Sequence, residues 1–174
     1  MQAHVLVPFG MSSSAYIWNE SIGTRMAWPH DSAGRPLPNN KKPTHASVAR
    51  YGAAGDLLTT PTDYARFLIE IIAPKPSDDF RLARESRDEM LRPQVRVPNS
   101  EQRSSWAIGW AIVHDRDQDF IYHSGDDTGW HTIVVASAAN QSGFVAMTNG
   151  ELGSQVLGKV LMSDSMQRFL KAGW

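Results

Sequence analysis

Short apolar runs alternate with glycine, asparagine and aspartate in the C-terminal third of the chain. Residues 120–122, 130–138 and 143–148 are rich in β-branched and aromatic side chains, which favour strands. The connections between these runs are of hairpin length, so the pattern predicts an antiparallel meander. The first run leads into His123-Ser124-Gly125 at its end, and a turn is expected over residues 126–129.

A second pattern, with apolar residues three and four positions apart, predicts a helix over residues 61–73. Thr60 is a suitable N-cap, and Pro61 fits the first helical position. Asp63 follows the cap by three residues, so it is expected to complete a capping box, and it is given no chemical role. The apolar stripe consists of Tyr64, Phe67, Leu68, Ile71 and Ile72.

The remaining segments predict an α+β fold that forms a single unit over residues 1–174. Residues 9–50 contain four prolines and little periodicity, which indicates a long irregular loop. The antiparallel strands lie within residues 106–149 and number about four, so an edge and a face of the sheet are expected to lack partners. Weaker patterns predict a strand over residues 106–113 and helices over residues 2–7, 80–91 and 152–171.

Composition limits the classes of function. The 174 residues are 41% hydrophobic and 20% charged, with a net charge of −1 and scattered lysines and arginines, so nothing favours nucleic acid or an anionic membrane as a partner. No apolar run approaches the roughly 20 residues that a membrane span needs. The first residues lack the basic and apolar segments of a signal peptide, and the chain has no cysteine, which leaves the compartment open.

Motifs of the common catalytic centres do not occur in this sequence. It contains no Ser-x-x-Lys, Gly-x-Ser-x-Gly, His-Glu-x-x-His or phosphate loop, so neither a metal nor a cofactor is expected. His123, Ser124 and Gly125 remain: a donor, a hydroxyl and a glycine that together suit the carbonyl or carboxylate of a substrate. The backbone N–H of Asp126 would be an oxyanion donor. The alternative interpretation is a polar strand end with a structural histidine.

Several segments resemble the serine β-lactamase-related family, which includes class C β-lactamases, low-molecular-weight penicillin-binding proteins, D-peptidases and lactamase-fold esterases. Residues 51–67 resemble its Ala-Gly-Gly-Leu and Ser-Thr-x-x-Asp-Leu-Ala-x-Phe segments. His123-Ser124-Gly125 resembles the His-x-Gly form of its Lys-Thr-Gly strand motif. Shorter matches follow the family's order along the chain at residues 7–11, 90–94, 108–110, 129–131 and 143–150.

The resemblance covers only the C-terminal part of that family's domain. It implies that the Ser-x-x-Lys nucleophile, the Tyr-x-Asn motif, an N-terminal helix and two further strands would precede Met1. It also implies that His123 is a donor beside the nucleophile and that Ser124 and Gly125 contact the substrate. The N–H of Asp126 would form half of the oxyanion hole.

The leading hypothesis is a fragment of a serine hydrolase that cleaves a β-lactam, a D-amino-acid peptide or an ester through an acyl-enzyme. The fragment is expected to be inactive alone because it lacks the nucleophile and its base. Its partner would be a small carbonyl substrate, bound together with the missing N-terminal half, and Tyr51 is a further candidate for lining that cleft. Histidine in place of lysine favours an ester or a peptide, and uncovered apolar faces predict self-association.

Two other hypotheses assign binding roles to tryptophans. A lectin-like β-domain conflicts with the regular helical stripe. A non-catalytic binding or interaction module would keep the cleft wall and contact a ligand through Trp18, Trp28, Trp130 and Ser124. Structural roles are the favoured expectation for four side chains: Trp110, Trp130 and Tyr122 would pack in the core, and His131 would form a hydrogen bond.

Overall fold

The chain has an α+β architecture in the computed structural model, which describes residues 1–39, 41–75, 81–98, 104–115 and 118–172. Within these ranges a π-helical stretch, Gln2–Leu6, precedes six α-helices: α1 (Glu20–Gly23), α2 (His45–Gly55), α3 (Pro61–Ile72), α4 (Arg84–Leu91), α5 (Gly153–Leu161) and α6 (Asp164–Ala172). The strands are β1 (Val95–Arg96), β2 (Ser104–Trp106), β3 (Ala111–His114), β4 (Asp119–Asp127), β5 (Trp130–Ser137) and β6 (Ser142–Thr148). The predicted fold class is confirmed.

All six strands belong to one antiparallel sheet in which their spatial order follows the sequence, from β1 to β6. The predicted meander is therefore correct, and the sheet is larger than the expected four strands. The two further strands, β1 and β2, have only two and three residues, too few to show the apolar alternation that marks a strand. β2 pairs with β3, and β1 pairs with β2, so this pairing holds both strands in the sheet.

The two faces of the sheet bury separate apolar clusters because successive residues of a strand point to opposite faces. On one face, α3 packs mainly over β6 and also over β5, and the buried cluster there includes Leu68, Ile71, Ile72, Ile112, Ile121, Val134 and Ala136. On the other face, α5 packs over β5 and β6 and α6 packs over β6, and the buried cluster there consists of Phe120, Ile133, Val135, Leu157 and Leu170. The predicted packing roles are confirmed for Trp110, which is buried in the first cluster, and for Tyr122, which packs against the second.

The predicted helix after Thr60 is present as α3, and one of the two hydrogen bonds of the predicted capping box is formed. The Thr60 hydroxyl accepts a hydrogen bond from the Asp63 N–H, but the Asp63 carboxylate does not complete a capping box. It is buried and accepts hydrogen bonds from the Ser13 N–H at 2.7 Å and the Ser14 hydroxyl at 2.8 Å, beside Arg66. Asp63 therefore attaches the N-terminal segment to α3.

The segment predicted as irregular, residues 9–50, contains α1 and the first half of α2. Thr44 and Ser47 form a reciprocal capping box at the start of α2. This helix has a poor apolar stripe, since only Gly52 is buried within it, so periodicity alone does not reveal it. The short helix expected at residues 2–7 is present in π-helical form.

Two predicted elements are each divided in the structure. The strand over residues 106–113 is broken by a tight turn in which Gly109 has a φ of +78° and the Ala107 N–H bonds the Trp110 carbonyl at 2.7 Å. The helix over residues 152–171 ends at Leu161 and restarts at Asp164, where the Ser163 hydroxyl accepts a bond from the Met166 N–H. Apolar residues continue at the same spacing across both breaks, so the sequence pattern does not predict them.

The second charged helix, expected over residues 80–91, is α4 and begins at Arg84. Its predicted first residue, Phe80, lies outside the described residues. Across the described ranges, none of the helices combines the length and the apolarity needed to cross a lipid bilayer.

Candidate functional site

The candidate site lies on the second half of β4, where the strand has a neighbour on one side. The last β3–β4 pair is Ala111 with Tyr122, whereas the β4–β5 pairs continue to Asp127 with Trp130. Among the described residues, β4 beyond Tyr122 is therefore paired only with β5. All five residues of this half-strand, from His123 to Asp127, are exposed. Their backbone forms an open sheet edge.

The structure corrects the predicted end of this strand. The turn was expected over residues 126–129, with the histidine motif ending the strand, but β4 continues through Asp127 and the turn is Thr128 and Gly129. Gly129 has a φ of +71°, a conformation that favours glycine. Asp126 and Asp127 remain extended because each pairs with β5 and each carboxylate has a cationic or hydrogen-bonding partner.

His123 lies on the sheet face that α3 covers, but beyond the covered part. Further along the same face Ile121 and Val134 are buried beneath α3, while His123 and Thr132 are exposed. The His123 ring contacts the Trp106 ring in a T-shaped arrangement, with 6.2 Å between centroids. The sheet thus presents an uncovered half-face beside its open edge.

Ser124 points to the opposite face, since neighbouring strand residues alternate. There it lines an open cavity of about 390 Å³ between the sheet and the helices α5 and α6. The cavity wall is mostly apolar, with a polar end formed by Ser124, Asp126, His131 and Ser154. His123 and Ser124 therefore meet different surroundings, one in the open half-face and the other at the mouth of this cavity.

The packing of the hairpin explains why position 125 is a glycine, without reference to any ligand. A Cβ atom at this position would lie 2.8 Å from the Thr132 hydroxyl oxygen on β5, closer than real Cβ contacts. The cross-strand pair of Gly125 with Thr132 therefore requires a residue without a side chain. A close approach of substrate to the glycine backbone, predicted from the sequence, is compatible with this packing but does not explain it.

His131 and Asp126 face each other across the hairpin. Nδ1 of His131 lies 2.6 Å from Oδ1 of Asp126, and Nε2 lies 3.1 Å from the Glu151 carbonyl oxygen. The His131 side chain is buried, so both contacts are part of the packed structure. The Glu151 carboxylate also accepts a bond from the Gly129 N–H at 2.7 Å. The predicted structural hydrogen bond of His131 is confirmed.

Lys41, in the long N-terminal loop, contacts the tip of the same hairpin. Its ammonium lies 2.8 Å from the Asp127 carboxylate. The Lys41 hydrogen bond is the main reason that the pKa of Asp127 is below its usual range, and the Thr128 N–H and the lysine charge act in the same direction. The sequence gives no sign of this contact, because only tertiary structure brings residues 86 positions apart together.

Of the other predicted binding residues, Trp130 lies beside this half-strand as the cross-strand partner of Asp127. Tyr51 lies on α2 with two thirds of its surface exposed, and it is not among the residues that line the cavity. Trp28 is exposed and Trp130 is half-buried. The Lys42 ammonium lies over the Trp18 ring, 4.7 Å from its centroid, in a cation–π contact. Within the described ranges, no group of three or more histidine or acidic side chains has the arrangement of a metal site.

Trp106 is the residue near the site that the sequence did not single out. The pattern placed it at the start of a core strand, but it is about half exposed and contacts His123. The only available signal was its position before a glycine-containing turn at Gly109, which separates it from the buried Trp110.

Comparisons with known proteins agree with this architecture. The chain is similar to the octameric penicillin-binding protein homologue from Pyrococcus abyssi, with 19% identity and a TM-score of 0.66 over 91% of this chain and 36% of that chain. It is also similar to the β-lactamase/D-alanine carboxypeptidase from Pseudomonas syringae, with 13% identity and a TM-score of 0.72 over 94% of this chain and 52% of that chain. No curated protein matches.

The protein thus spans about a third to a half of the length of these structural relatives. At such identities the structural likeness concerns the fold. The family relation has separate support, because the model of the Beta-lactamase family matches residues 1–161, nearly the whole chain. Together with the ordered motifs and the six-stranded sheet, this match establishes that the chain belongs to the Beta-lactamase family.

Proposed function

We propose that this chain forms one wall of a serine-hydrolase active site, in which the exposed half of β4 binds the carbonyl group of a substrate. The observation that carries the proposal is the open strand edge from His123 to Asp127, which is paired only with β5 among the described residues. This edge contains the His-x-Gly motif of a chain that belongs to the Beta-lactamase family. The reaction would be acyl-enzyme hydrolysis of a β-lactam, a D-amino-acid peptide or an ester.

The hairpin geometry supports a role for the Asp126 backbone. In a two-residue hairpin the closing pair, here Asp127 with Trp130, exchanges backbone hydrogen bonds across the strands. Alternation then directs the N–H groups of Asp127 and Gly125 toward β5 and those of Asp126 and Ser124 toward the open edge. An N–H fixed in this way is suited to stabilise an oxyanion, because it needs no reorganisation during the reaction.

The side chains would take complementary roles. His123, on the uncovered half-face, is available as a proton donor near the reacting group. Ser124 offers its hydroxyl to the carbonyl or carboxylate of the substrate from the opposite face. Gly125, which has no side chain, would let the substrate approach the backbone next to Ser124. Tyr51 is a candidate only for a wider cleft, since it lies on the exposed surface of α2.

These groups stabilise charge and orient a substrate, but they do not attack a carbonyl. The 174 residues contain neither Ser-x-x-Lys nor Tyr-x-Asn. Without a nucleophile and its base, only binding and oxyanion stabilisation remain. We therefore expect no acyl transfer by this chain alone and expect activity when a polypeptide that carries both motifs completes the site.

The test uses a fluorescent penicillin and a nitrophenyl ester with the 174-residue chain, alone and co-expressed with an N-terminal segment carrying both motifs. The chain alone should show no labelling by the penicillin and no ester turnover above buffer. The chain co-expressed with the N-terminal segment (the pair) should show labelling and turnover. His123→Ala should slow the pair at least about tenfold, whereas His45→Ala, at an exposed histidine of α2, should not. Stoichiometric labelling of the chain alone, or an inert pair, contradicts the proposal.

A non-catalytic binding module is the second candidate function. The absence of the nucleophile motif from the 174 residues favours it, and the cleft wall would then serve binding only. The coding sequence upstream of residue 1 separates the two candidates. An in-frame Ser-x-x-Lys favours the hydrolase, and a genuine translation start at Met1 favours the module.

A further inference from the structure

Trp106 is a large aromatic residue beside the candidate site that the proposed roles do not use. It ends the three-residue strand β2, is 47% exposed, and contacts the His123 ring. A tryptophan in a core buries most of its surface, as Trp110 does four positions later. Trp106 instead keeps half of its surface open to solvent next to a polar strand edge.

Val95 extends this exposed apolar surface onto β1. It is the cross-strand partner of Trp106 and is 62% exposed. Directly opposite residues of an antiparallel pair have Cβ atoms about 5 Å apart, and their side chains share a face. We call Val95 and Trp106 the apolar ledge. Exposed apolar surface beside a few convergent polar groups is typical of a small-molecule site.

The charges at this end of the sheet oppose an anionic ligand. Asp126 and Asp127 belong to the open edge, and Glu151 reaches the hairpin turn through its bond from the Gly129 N–H. The Lys41 ammonium contacts this hairpin, and Asp127 already engages it. A ligand carboxylate here would meet three acidic side chains and an ammonium that is already paired, which is unfavourable at short distances.

We infer that the site takes a neutral ester or amide that carries an aromatic or branched apolar group. The carbonyl oxygen lies at the Ser124–Asp126 edge, and the apolar group packs against the ledge of Val95 and Trp106. Asp126 lies three positions after His123, which is about 10 Å along a strand. The apolar group is therefore several bonds removed from the carbonyl. This inference rests on the proposed function and adds the substrate class to it.

The test follows backbone amide and indole N–H chemical shifts of the ¹⁵N-labelled 174-residue chain during titration with three probes. They are 4-phenylbutyramide, butyramide without the ring, and the anionic 4-phenylbutyrate. We expect 4-phenylbutyramide to shift the amides of Ser124 to Asp126 and the Trp106 indole. It should bind at least about fivefold more tightly than either other probe, a gain within the range of aromatic contacts.

Variants then assign the gain to the ledge. Trp106→Ala should bring the affinity of 4-phenylbutyramide to that of butyramide, while butyramide binding stays unchanged. Trp106→Leu keeps an apolar strand residue, so it replaces the alanine variant if that chain does not fold, and it should lose at least half of the gain. Ile69→Ala, at an exposed apolar residue of α3, should change nothing.

The outcomes separate the two proposals. If butyramide shifts the β4 edge but the ring adds nothing, or if Trp106 variants keep the gain, the ledge inference is overturned while carbonyl binding stands. Tighter binding of 4-phenylbutyrate than of 4-phenylbutyramide also overturns the inference. If neither amide shifts the edge in the folded chain, the carbonyl-binding role of β4 itself is wrong, and the inference fails with it.

Discussion

The Nδ1 atom of His131 lies 2.6 Å from Oδ1 of Asp126, directly across the β4–β5 pair. Asp126 is the residue whose backbone N–H we propose as an oxyanion donor, so its side chain is held by a buried histidine of the neighbouring strand. The second ring nitrogen of His131 bonds the Glu151 carbonyl. These contacts fix the hairpin that carries the proposed donor, as a preorganised site requires.

We predict that Asp126→Ala lowers the free energy of unfolding by about 1–2 kcal/mol, because it leaves a buried histidine nitrogen without its partner. Urea denaturation at neutral pH measures the change. Asp127→Ala is the matched control, since it removes a largely exposed ion pair with Lys41 and should cost less than about 1 kcal/mol. Equal losses in the two variants would show that the Asp126–His131 contact has no special weight.

A second prediction concerns the glycine of the motif. Gly125→Ala should destabilise the chain by about 1–3 kcal/mol, because the new Cβ would lie 2.8 Å from the Thr132 hydroxyl oxygen. Thr132→Ala removes that oxygen, so the double variant should recover most of the loss. A thermal double-mutant cycle gives the coupling between the two positions. Strict additivity of the two changes would contradict the cross-strand explanation.

The contact of Lys41 with Asp127 predicts a pH dependence of stability. Its hydrogen bond lowers the pKa of Asp127 in the folded chain, so the contribution is present above the unfolded pKa of about 4. It is lost as the pH falls through the lower folded value. Lys41→Met should therefore reduce stability slightly at pH 7 and lose less on acidification to pH 2 than the unchanged chain. The prediction is contradicted if the urea midpoint falls by the same amount between pH 7 and pH 2 in both proteins.

We also predict concentration-dependent self-association through β6. In the described structure this strand pairs only with β5. Charged side chains and proline protect the edge of a sheet from pairing with another chain, and the seven residues of β6 include neither. Met147→Lys on this edge should reduce the associated fraction in size-exclusion chromatography with light scattering. Ile69→Lys, at an exposed position of α3, is the control for a general gain in solubility. An equal effect of both substitutions would argue against the β6 edge.

Several features could be predicted without coordinates because their causes are local. The Thr60 cap, Pro61 and the apolar stripe specify α3 within a dozen residues, and a run of β-branched residues specifies β5. The α+β class and the family relation followed from elements and motifs in order along the chain. The end of β4 did not follow, because residues 123–127 are polar or glycine and resemble a turn. The division of the last helix did not follow either, since apolar spacing continues through it.

The sequence by itself determined the strongly patterned helix and strands, their antiparallel order and the position of the His-x-Gly motif. Only the tertiary structure decided that β3 leaves β4 unpaired beyond Tyr122, that Lys41 and Glu151 reach the hairpin, and that Trp106 lies against His123. The physical reason is that capping and periodicity act over a few residues. Strand pairing, ion pairs and ring contacts instead join residues whose separation in sequence carries no local signal.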